Sequence, residues 1–158
     1  MATVRAYKLA EELGIERNEF VEQARLHGVD LKSAMASLED DTHAKRFVAN
    51  PDKSNIYVFR NESFGGAIPM TVSLNGKVAG QSGPTTYFMW EVAPGMHEIA
   101  SHAETVSTLQ LTTQPGKSYY IWQEVTMGLF MARSQLQQVD EETGRKGVLE
   151  CKRAQSSF

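Results

Sequence analysis

The chain has 158 residues, of which 41% are hydrophobic and 22% are charged, and its formal net charge is −3. These values are typical of one globular domain or of two smaller ones. Residues 1–50 carry seven Lys/Arg against nine Asp/Glu, and residues 51–158 carry nine against ten. A strongly basic nucleic-acid-binding domain is therefore excluded. The single cysteine, Cys151, excludes an intramolecular disulfide and a cysteine-based structural zinc site.

The N-terminal segment MATVRAYKLAEELG is charged throughout and lacks the apolar core of a signal peptide. No stretch of the sequence reaches the ~18–20 apolar residues of a membrane span. We therefore expect a soluble cytoplasmic protein with no membrane partner.

The hydrophobic period changes near the segment ANPDKS, residues 49–54. Apolar residues before it recur at helical spacing, and the three predicted helices end at Gly14, Gly28 and near Phe47. The period after it is two, as in β-strands. The sequence predicts a helix-rich module at 1–48, a linker at 49–54 and a β-sandwich at 55–158.

The N-terminal sequence VRAYKLAEELG and the later segment GVDLKSAMASL carry an ordered set of motif residues. This region, about residues 1–47, resembles the N-terminal module of bacterial translation initiation factor two. Glu16 departs from the family, which often has a Ser or Thr helix cap there. The resemblance implies a docking unit for RNA, the ribosome or a protein, without chemistry of its own.

Five cations of this region are candidates for phosphate contact: Arg5, Lys8, Lys32, Lys45 and Arg46. The alternative is that they balance a helix surface that carries more acids than bases. Lys45 and Arg46 also suit the last turn of the third helix, whatever they bind.

Turn signals divide the second module into seven or eight predicted strands. Asn75-Gly76 predicts a tight hairpin, and Pro94-Gly95 and Pro115-Gly116 predict corners. The predicted order ends with a strand at 132–139, a polar turn at 140–144 and a return strand at 148–152. Strands at such intervals are typical of a sandwich or barrel.

The motifs IYVFR, VSLNGK, YFMWEVAPGMHEI and PGKSYYI occur in this order from residue 56 to residue 121. Over about one hundred residues they resemble a bacterial domain family of unknown function, found mainly in small lipoproteins and secreted proteins. The resemblance implies an immunoglobulin-like or transthyretin-like sandwich and no known activity. The signal peptide and lipid-attachment cysteine of that family are missing here, so we expect the cytoplasm rather than the envelope.

Candidate reactive groups do not form a catalytic set. His97 and His102 lie five residues apart on one predicted strand, and period-two geometry sends them to opposite faces. Cys151 is followed by two cations, Lys152 and Arg153, but has no histidine nearby in sequence. The sequence predicts no catalytic residue, no cofactor and no metal ion.

The strand Tyr119-Tyr120-Ile121-Trp122 places Tyr120 and Trp122 on one side. Either residues 127–131 shield this side, or the two aromatic rings face water and bind a partner. We therefore retain Tyr120 and Trp122 as binding candidates.

The sequence predicts an α+β chain of two modules, a small helix-rich module followed by an antiparallel β-sandwich. The leading functional hypothesis is a non-catalytic two-module adaptor with a protein partner. One alternative is a ribosome- or RNA-associated protein that acts through the N-terminal module. Further alternatives are a structural assembly subunit that forms a homo-oligomer through sandwich edges, and a small hydrolase or small-ligand carrier that uses a sandwich pocket.

Overall fold

A computed structural model of the protein describes residues 39–62 and 68–158. The chain divides into two compact units, residues 1–44 and 45–158. Of the predicted helix-rich module, residues 39–48 are described, and residues 39–44 of these are helical. Residues 1–38 lie outside the described residues. The module boundaries drawn at residues 48 and 54 stay predictions.

Residues 54–139 form eight strands, followed by one helix and a short ninth strand. They are β1 (Ser54–Arg60), β2 (Met70–Leu74), β3 (Lys77–Ser82), β4 (Thr86–Val92), β5 (Gly95–His102), β6 (Val106–Thr113), β7 (Ser118–Met127), β8 (Ala132–Val139), α1 (Glu141–Leu149) and β9 (Lys152–Arg153). Asn75 and Gly76 both have positive φ, 52° and 80°, which confirms the predicted hairpin between β2 and β3.

The prediction of an α+β fold is wrong for the described residues, of which 53% lie in strands and few in helices. The expected antiparallel, sandwich-like arrangement of two sheets is present, with two parallel strand pairs as exceptions. The strands form two sheets, but β1 pairs with β7 in parallel, and β4 pairs with β9 in parallel. Alternation along a strand indicates which side chains are buried, but not which strand lies alongside or in which direction it runs.

The five-stranded sheet has the order β8-β7-β1-β4-β9, and the four-stranded sheet has the order β3-β2-β5-β6. Their inner faces enclose the main apolar core. Its largest members come from both sheets: Ile56, Phe88, Trp90, Ile121, Leu74 and Ile99. The period of two predicted for this module is seen in β4, since Phe88 and Trp90 join this core whereas Tyr87 and Met89 do not.

Helix α1 replaces the polar turn and return strand that the sequence predicted at 140–152. Asp140 caps its N-terminus, because the Oδ1 atom accepts a hydrogen bond from the Thr143 backbone N–H at 2.7 Å. Glu141 and Glu142 lie in its first turn and Lys146 in its last, as the helix dipole favours. These local signals outweigh the β-type reading of the segment.

The glycines of α1 allow it to lie directly on the outer face of the five-stranded sheet. A Cβ atom at Gly144 would overlap the Tyr120 side chain, and one at Gly147 would overlap the Phe59 ring. The Tyr120 ring also stacks on Tyr57, with centroids 5.2 Å apart, and lies 6.0 Å from Phe47. The outer face is therefore a packed aromatic layer.

Residues 154–158, the C-terminal tail, run from β4 to β3 along one side of the sandwich. The Ala154 N–H donates to Tyr87 O at 2.7 Å, and the Ser157 N–H donates to Ala79 O at 2.8 Å. Between them, Trp90 Nε1 donates to Ser156 Oγ at 2.9 Å. The tail thus joins an edge of each sheet. Among the described residues, no helix is both long enough and apolar enough to cross a membrane.

Candidate docking surface at the β7–β8 hairpin

The turn between β7 and β8, residues 127–131, exposes four large apolar side chains; we call it the apolar hairpin tip. Their exposed fractions are 68% for Met127, 76% for Leu129, 86% for Phe130 and 58% for Met131. Val106, at the start of β6, is also exposed. An exposed apolar cluster of this kind marks an interaction site more often than a scattered apolar residue does.

Glu104 holds the apolar hairpin tip in one conformation, and we call the contacts of Glu104 with this turn the clamp. Its Oε2 atom accepts hydrogen bonds from the backbone N–H groups of Met131 at 3.2 Å and Phe130 at 3.4 Å. Its Oε1 atom pairs with Arg133 Nη2 at 3.1 Å. The Arg133 hydrogen bond and the two backbone donors lower the pKa of Glu104, so the carboxylate stays ionised at neutral pH.

Gly128 completes this clamp. Its N–H donates to Met131 O at 2.8 Å, and a Cβ atom at this position would overlap Glu104 Oε2. The exposed side chains therefore project from a backbone that is hydrogen-bonded at both ends of the turn. Such an anchor loses little conformational entropy on binding.

A cleft of about 300 Å³ lies beside the tip, between β6 and β8. Its wall includes the hydroxyl groups of Thr105, Ser107 and Ser134, together with Arg133. Ser107 Oγ accepts a hydrogen bond from the Leu136 N–H at 3.0 Å, which ties the two sheets together at this side. The cleft offers hydrogen-bonding groups next to an apolar surface.

A chain of buried hydrogen bonds leads from the sandwich interior to this cleft. Ser82 Oγ donates to Gln123 Oε1 at 2.6 Å, Gln123 Nε2 donates to Ser101 Oγ at 2.6 Å, and Ser101 Oγ lies 2.5 Å from Ser134 Oγ. A serine nucleophile needs an adjacent base, and an amide is not one. We therefore assign this chain a structural role, since it satisfies four buried polar side chains.

The predicted cations fall into two groups. Arg5, Lys8 and Lys32 lie outside the described residues. Lys45 donates from Nζ to Cys151 O at 2.6 Å and lies over the Tyr87 ring, 5.8 Å from its centroid. Its ammonium group is thus held within the unit of residues 45–158, which we call the β unit, whereas Arg46 is exposed.

Neither of the two aromatic binding candidates, Tyr120 and Trp122, has a fully exposed side chain. Tyr120 is only 2% exposed, beneath Gly144 of α1, and burial raises its pKa. Trp122 is half-buried. The large side chains of residues 127–131, which the shielding alternative places over this face, are themselves mostly exposed. The apolar run MGLFM between two strands was the signal for an exposed tip, and the shielding interpretation missed it.

The remaining candidates have local partners. His97 Nδ1 lies 2.9 Å from Asn75 Nδ2 and His97 Nε2 lies 2.7 Å from Ala93 O, which ties the Pro-Gly corner to the hairpin. His102 bonds to Ser73 instead. Burial raises the pKa of Cys151 to about 12. No group of three His, Cys, Asp or Glu side chains in the described part of the chain is placed to hold a metal ion.

Comparison with known proteins confirms both resemblances. The model of a family described as a protein of unknown function, DUF2846, matches residues 50–135. The model of the translation initiation factor IF-2 N-terminal region matches residues 1–45. An uncharacterized protein of Haemophilus influenzae is 34% identical over 117 residues, which cover 72% of this chain and 69% of that protein. The first match includes the apolar hairpin tip, whereas α1 and the C-terminal tail lie beyond it.

Proposed function

The chain belongs to the DUF2846 family, and we propose that it is a non-catalytic two-module adaptor whose β unit binds a protein partner through the apolar hairpin tip. The observation that carries this proposal is the run of four exposed apolar side chains on a clamped turn. Aromatic anchors that enter an apolar pocket dominate the binding energy of many protein interfaces. Phe130 is the anchor of the proposed interface.

Charge at the tip favours a protein pocket over an anionic lipid surface. Glu104 and Arg133 neutralise each other at the base of the turn, and residues 127–131 carry no charge. Binding to an anionic membrane generally gains from several Lys or Arg side chains next to the inserted apolar group. The proposed partner therefore presents an apolar pocket with a polar, uncharged rim.

The test is affinity capture with the full chain and two variants. The tip variant carries Leu129→Ser and Phe130→Ser. The matched control carries Met96→Ser, which removes a side chain that is 71% exposed at the start of β5. We expect the same protein to be retained by the wild type and the control and lost by the tip variant. With the purified partner, the affinity should fall by about 10- to 100-fold.

Two results would contradict this proposal. One is an identical set of retained proteins for all three chains. The other is binding of the wild type to anionic phospholipid vesicles that disappears in the tip variant, because the tip would then be a membrane anchor.

A second candidate function is association with RNA or the ribosome through residues 1–45. The supporting observation is the match of this region to the N-terminal region of a translation initiation factor. Because Lys45 is engaged within the β unit, the proposed contact rests on Arg5, Lys8, Lys32 and Arg46. A cytoplasmic location is part of this proposal.

Ribosome co-sedimentation at graded salt tests the second candidate. Reversing Arg5, Lys8 and Lys32 to Glu should weaken binding and reduce the slope of log affinity against log salt by about 2. The control carries the same three charge reversals in the β unit, at Lys53, Lys117 and Lys146. Binding that ignores salt, or that falls equally in both variants, would count against the candidate. A ligand-carrier role for the cleft remains a third proposal.

A further inference from the structure

Within the part of the chain that the structure describes, the backbone groups on the outer edge of β6 have no hydrogen-bond partner, although the Ser107 side chain of this strand accepts from the Leu136 N–H of β8. The other sheet edges are bonded at some positions or are very short. In the four-stranded sheet, the edge of β3 is capped by Ser157, whose N–H donates to Ala79 O. In the five-stranded sheet, β8 is bonded outward at Ala132 O and at the Leu136 N–H, and β9 has two residues. Among the described residues, none pairs with the backbone of β6 on the side away from β5.

Antiparallel pairing uses the N–H and C=O groups of alternate residues. About half of the eight residues of β6 therefore direct these groups away from β5. An unpaired row of donors and acceptors is a template for another strand. The β5–β6 ladder runs through eight consecutive pairs without a register shift, unlike the β2–β3 ladder, so no bulge turns this edge away.

The sequence of β6 lacks the usual protection of an edge. Residues 105–116, TVSTLQLTTQPG, contain no charged side chain, although 22% of the whole chain is charged. Proteins generally protect exposed edges with Lys, Pro, bulges or short strands. In β6 the exposed outer side chains are Val106, Thr108, Gln110 and Thr112, and the first proline, Pro115, follows the strand.

We propose that β6 pairs with β6 of a second copy of this chain, antiparallel about Gln110, so that the two four-stranded sheets become one continuous sheet. In this register Gln110 lies opposite Gln110 of the second copy, and Thr108 lies opposite Thr112 of the second copy. Such Thr pairs stabilise antiparallel sheets, and no like charges meet. The same strand serves both protomers, as a two-fold interface requires.

A second copy fits this edge better than a charged or proline-rich peptide from another protein. The edge itself offers no charge to select such a peptide. Its Gln and Thr side chains can instead pair with the same side chains of a second copy. The pairing uses a surface other than the apolar hairpin tip, so this inference does not depend on the proposed adaptor function.

The first experiment is sedimentation equilibrium of the full chain over a range of concentrations. We expect a reversible dimer. Gln110→Lys places two ammonium groups opposite each other and should raise the dimer dissociation constant about tenfold or more. The matched control is Gln81→Lys on β3, where the C-terminal tail occupies the edge, and it should leave the dissociation constant unchanged. Thermal melting followed by circular dichroism checks that both variants are folded.

The second experiment replaces Gln110 with Cys. Under mild oxidation this variant should form a disulfide-linked dimer, and Gln81→Cys should not. The native thiol of Cys151 is buried and does not compete. A wild type that is monomeric at every concentration would overturn the proposal. A dimer that persists in Gln110→Lys would also overturn it, as would equal cross-linking of both cysteine variants.

Discussion

The two glycines of α1 show how single residues decide where this helix lies. Glycine in a helix interior costs about 1 kcal/mol relative to alanine, so helix propensity does not explain Gly144 and Gly147. Their lack of a Cβ atom does, because it allows the backbone to touch Tyr120 and Phe59. The loss in propensity is offset by contact with the aromatic layer.

Gly144→Ala should therefore destabilise the protein even though alanine is the better helix former. Overpacking against Tyr120 is expected to cost about 1–3 kcal/mol, which exceeds the gain in propensity. The control is Gly83→Ala, where a Cβ atom would meet nothing within 4 Å. Urea denaturation should show a lower midpoint for Gly144→Ala alone. An unchanged or raised midpoint would mean that α1 can shift away from the sheet at little cost.

Cys151 provides a pH-dependent test of burial. Burial, reinforced by Glu150, raises the pKa of its thiol to about 12, whereas an exposed thiol titrates near pH ~8.5. Between these values the unfolded chain binds fewer protons than the folded one. The contribution of the Cys151 thiol to the free energy of unfolding is therefore complete below pH ~8.5 and declines as the pH rises toward 12.

Cys151→Ala should lose stability less steeply between pH 8 and pH 10.5 than the wild type does. Urea midpoints at the two pH values measure this difference. Burial also raises the pKa of Tyr57 and Tyr120, so part of the decline should remain in the variant. Parallel declines in the two proteins would show that the thiol does not contribute.

At the scale of elements, the β7–β8 hairpin depends on a residue from another turn. Glu104 lies between β5 and β6, yet it binds the backbone of the apolar hairpin tip. Because its pKa is lowered, the clamp is present above the ordinary carboxyl pKa. It is lost as the pH falls through the lower, folded-state pKa.

Glu104→Ala should release the tip without unfolding the sandwich. Amide hydrogen exchange at Phe130 and Met131 is expected to accelerate, because both N–H groups lose their acceptor. Exchange in β1 should be unchanged. The conservative variant Glu104→Gln keeps one carbonyl acceptor and should show an intermediate effect. Equal protection in all three proteins would rule out the clamp.

Much of the element order was predictable from the sequence. The Asn75-Gly76 hairpin and the faces of β4 follow from turn chemistry and alternation, which are local properties. Helix α1 was missed, although Asp140 followed by two glutamates is a start signal for a helix. Its glycines and charges suggested a turn; contact with Tyr120 and Phe59 explains the two glycines, and the helix dipole explains the charges.

The candidate docking surface was less predictable. Residues 127–131 are apolar, and because apolar residues are usually buried, one of the two interpretations of the sequence places them over Tyr120 and Trp122. The backbone of this turn is bonded by Glu104, which is distant in sequence. The parallel pairing of β1 with β7 and the unpaired backbone edge of β6 are also long-range properties that local periodicity cannot specify.

At the scale of the whole molecule, the C-terminal tail determines which sheet edges are available. It covers β3 through Ser157 and packs Phe158 against Trp90, with ring centroids 6.2 Å apart. At the opposite edge of the same sheet, no described residue pairs with the outward backbone groups of β6.

Deletion of residues 155–158 should lower stability by about 1–3 kcal/mol, because Trp90 loses its hydrogen-bond acceptor and part of its cover. Tryptophan fluorescence should shift to the red. Light scattering should reveal assemblies larger than a dimer, since β3 can then pair with β6 of another copy. Adding Gln110→Lys should suppress this growth. A truncated protein that never exceeds the size of the wild type would contradict the expectation.

A sheet with two unpaired edges can extend without limit, as a fibre does. A sheet with one unpaired edge can pair with a single neighbour and then has no unpaired edge left. Residues 154–158 cover the other edge of the four-stranded sheet, so the proposed pairing through β6 would stop at two copies.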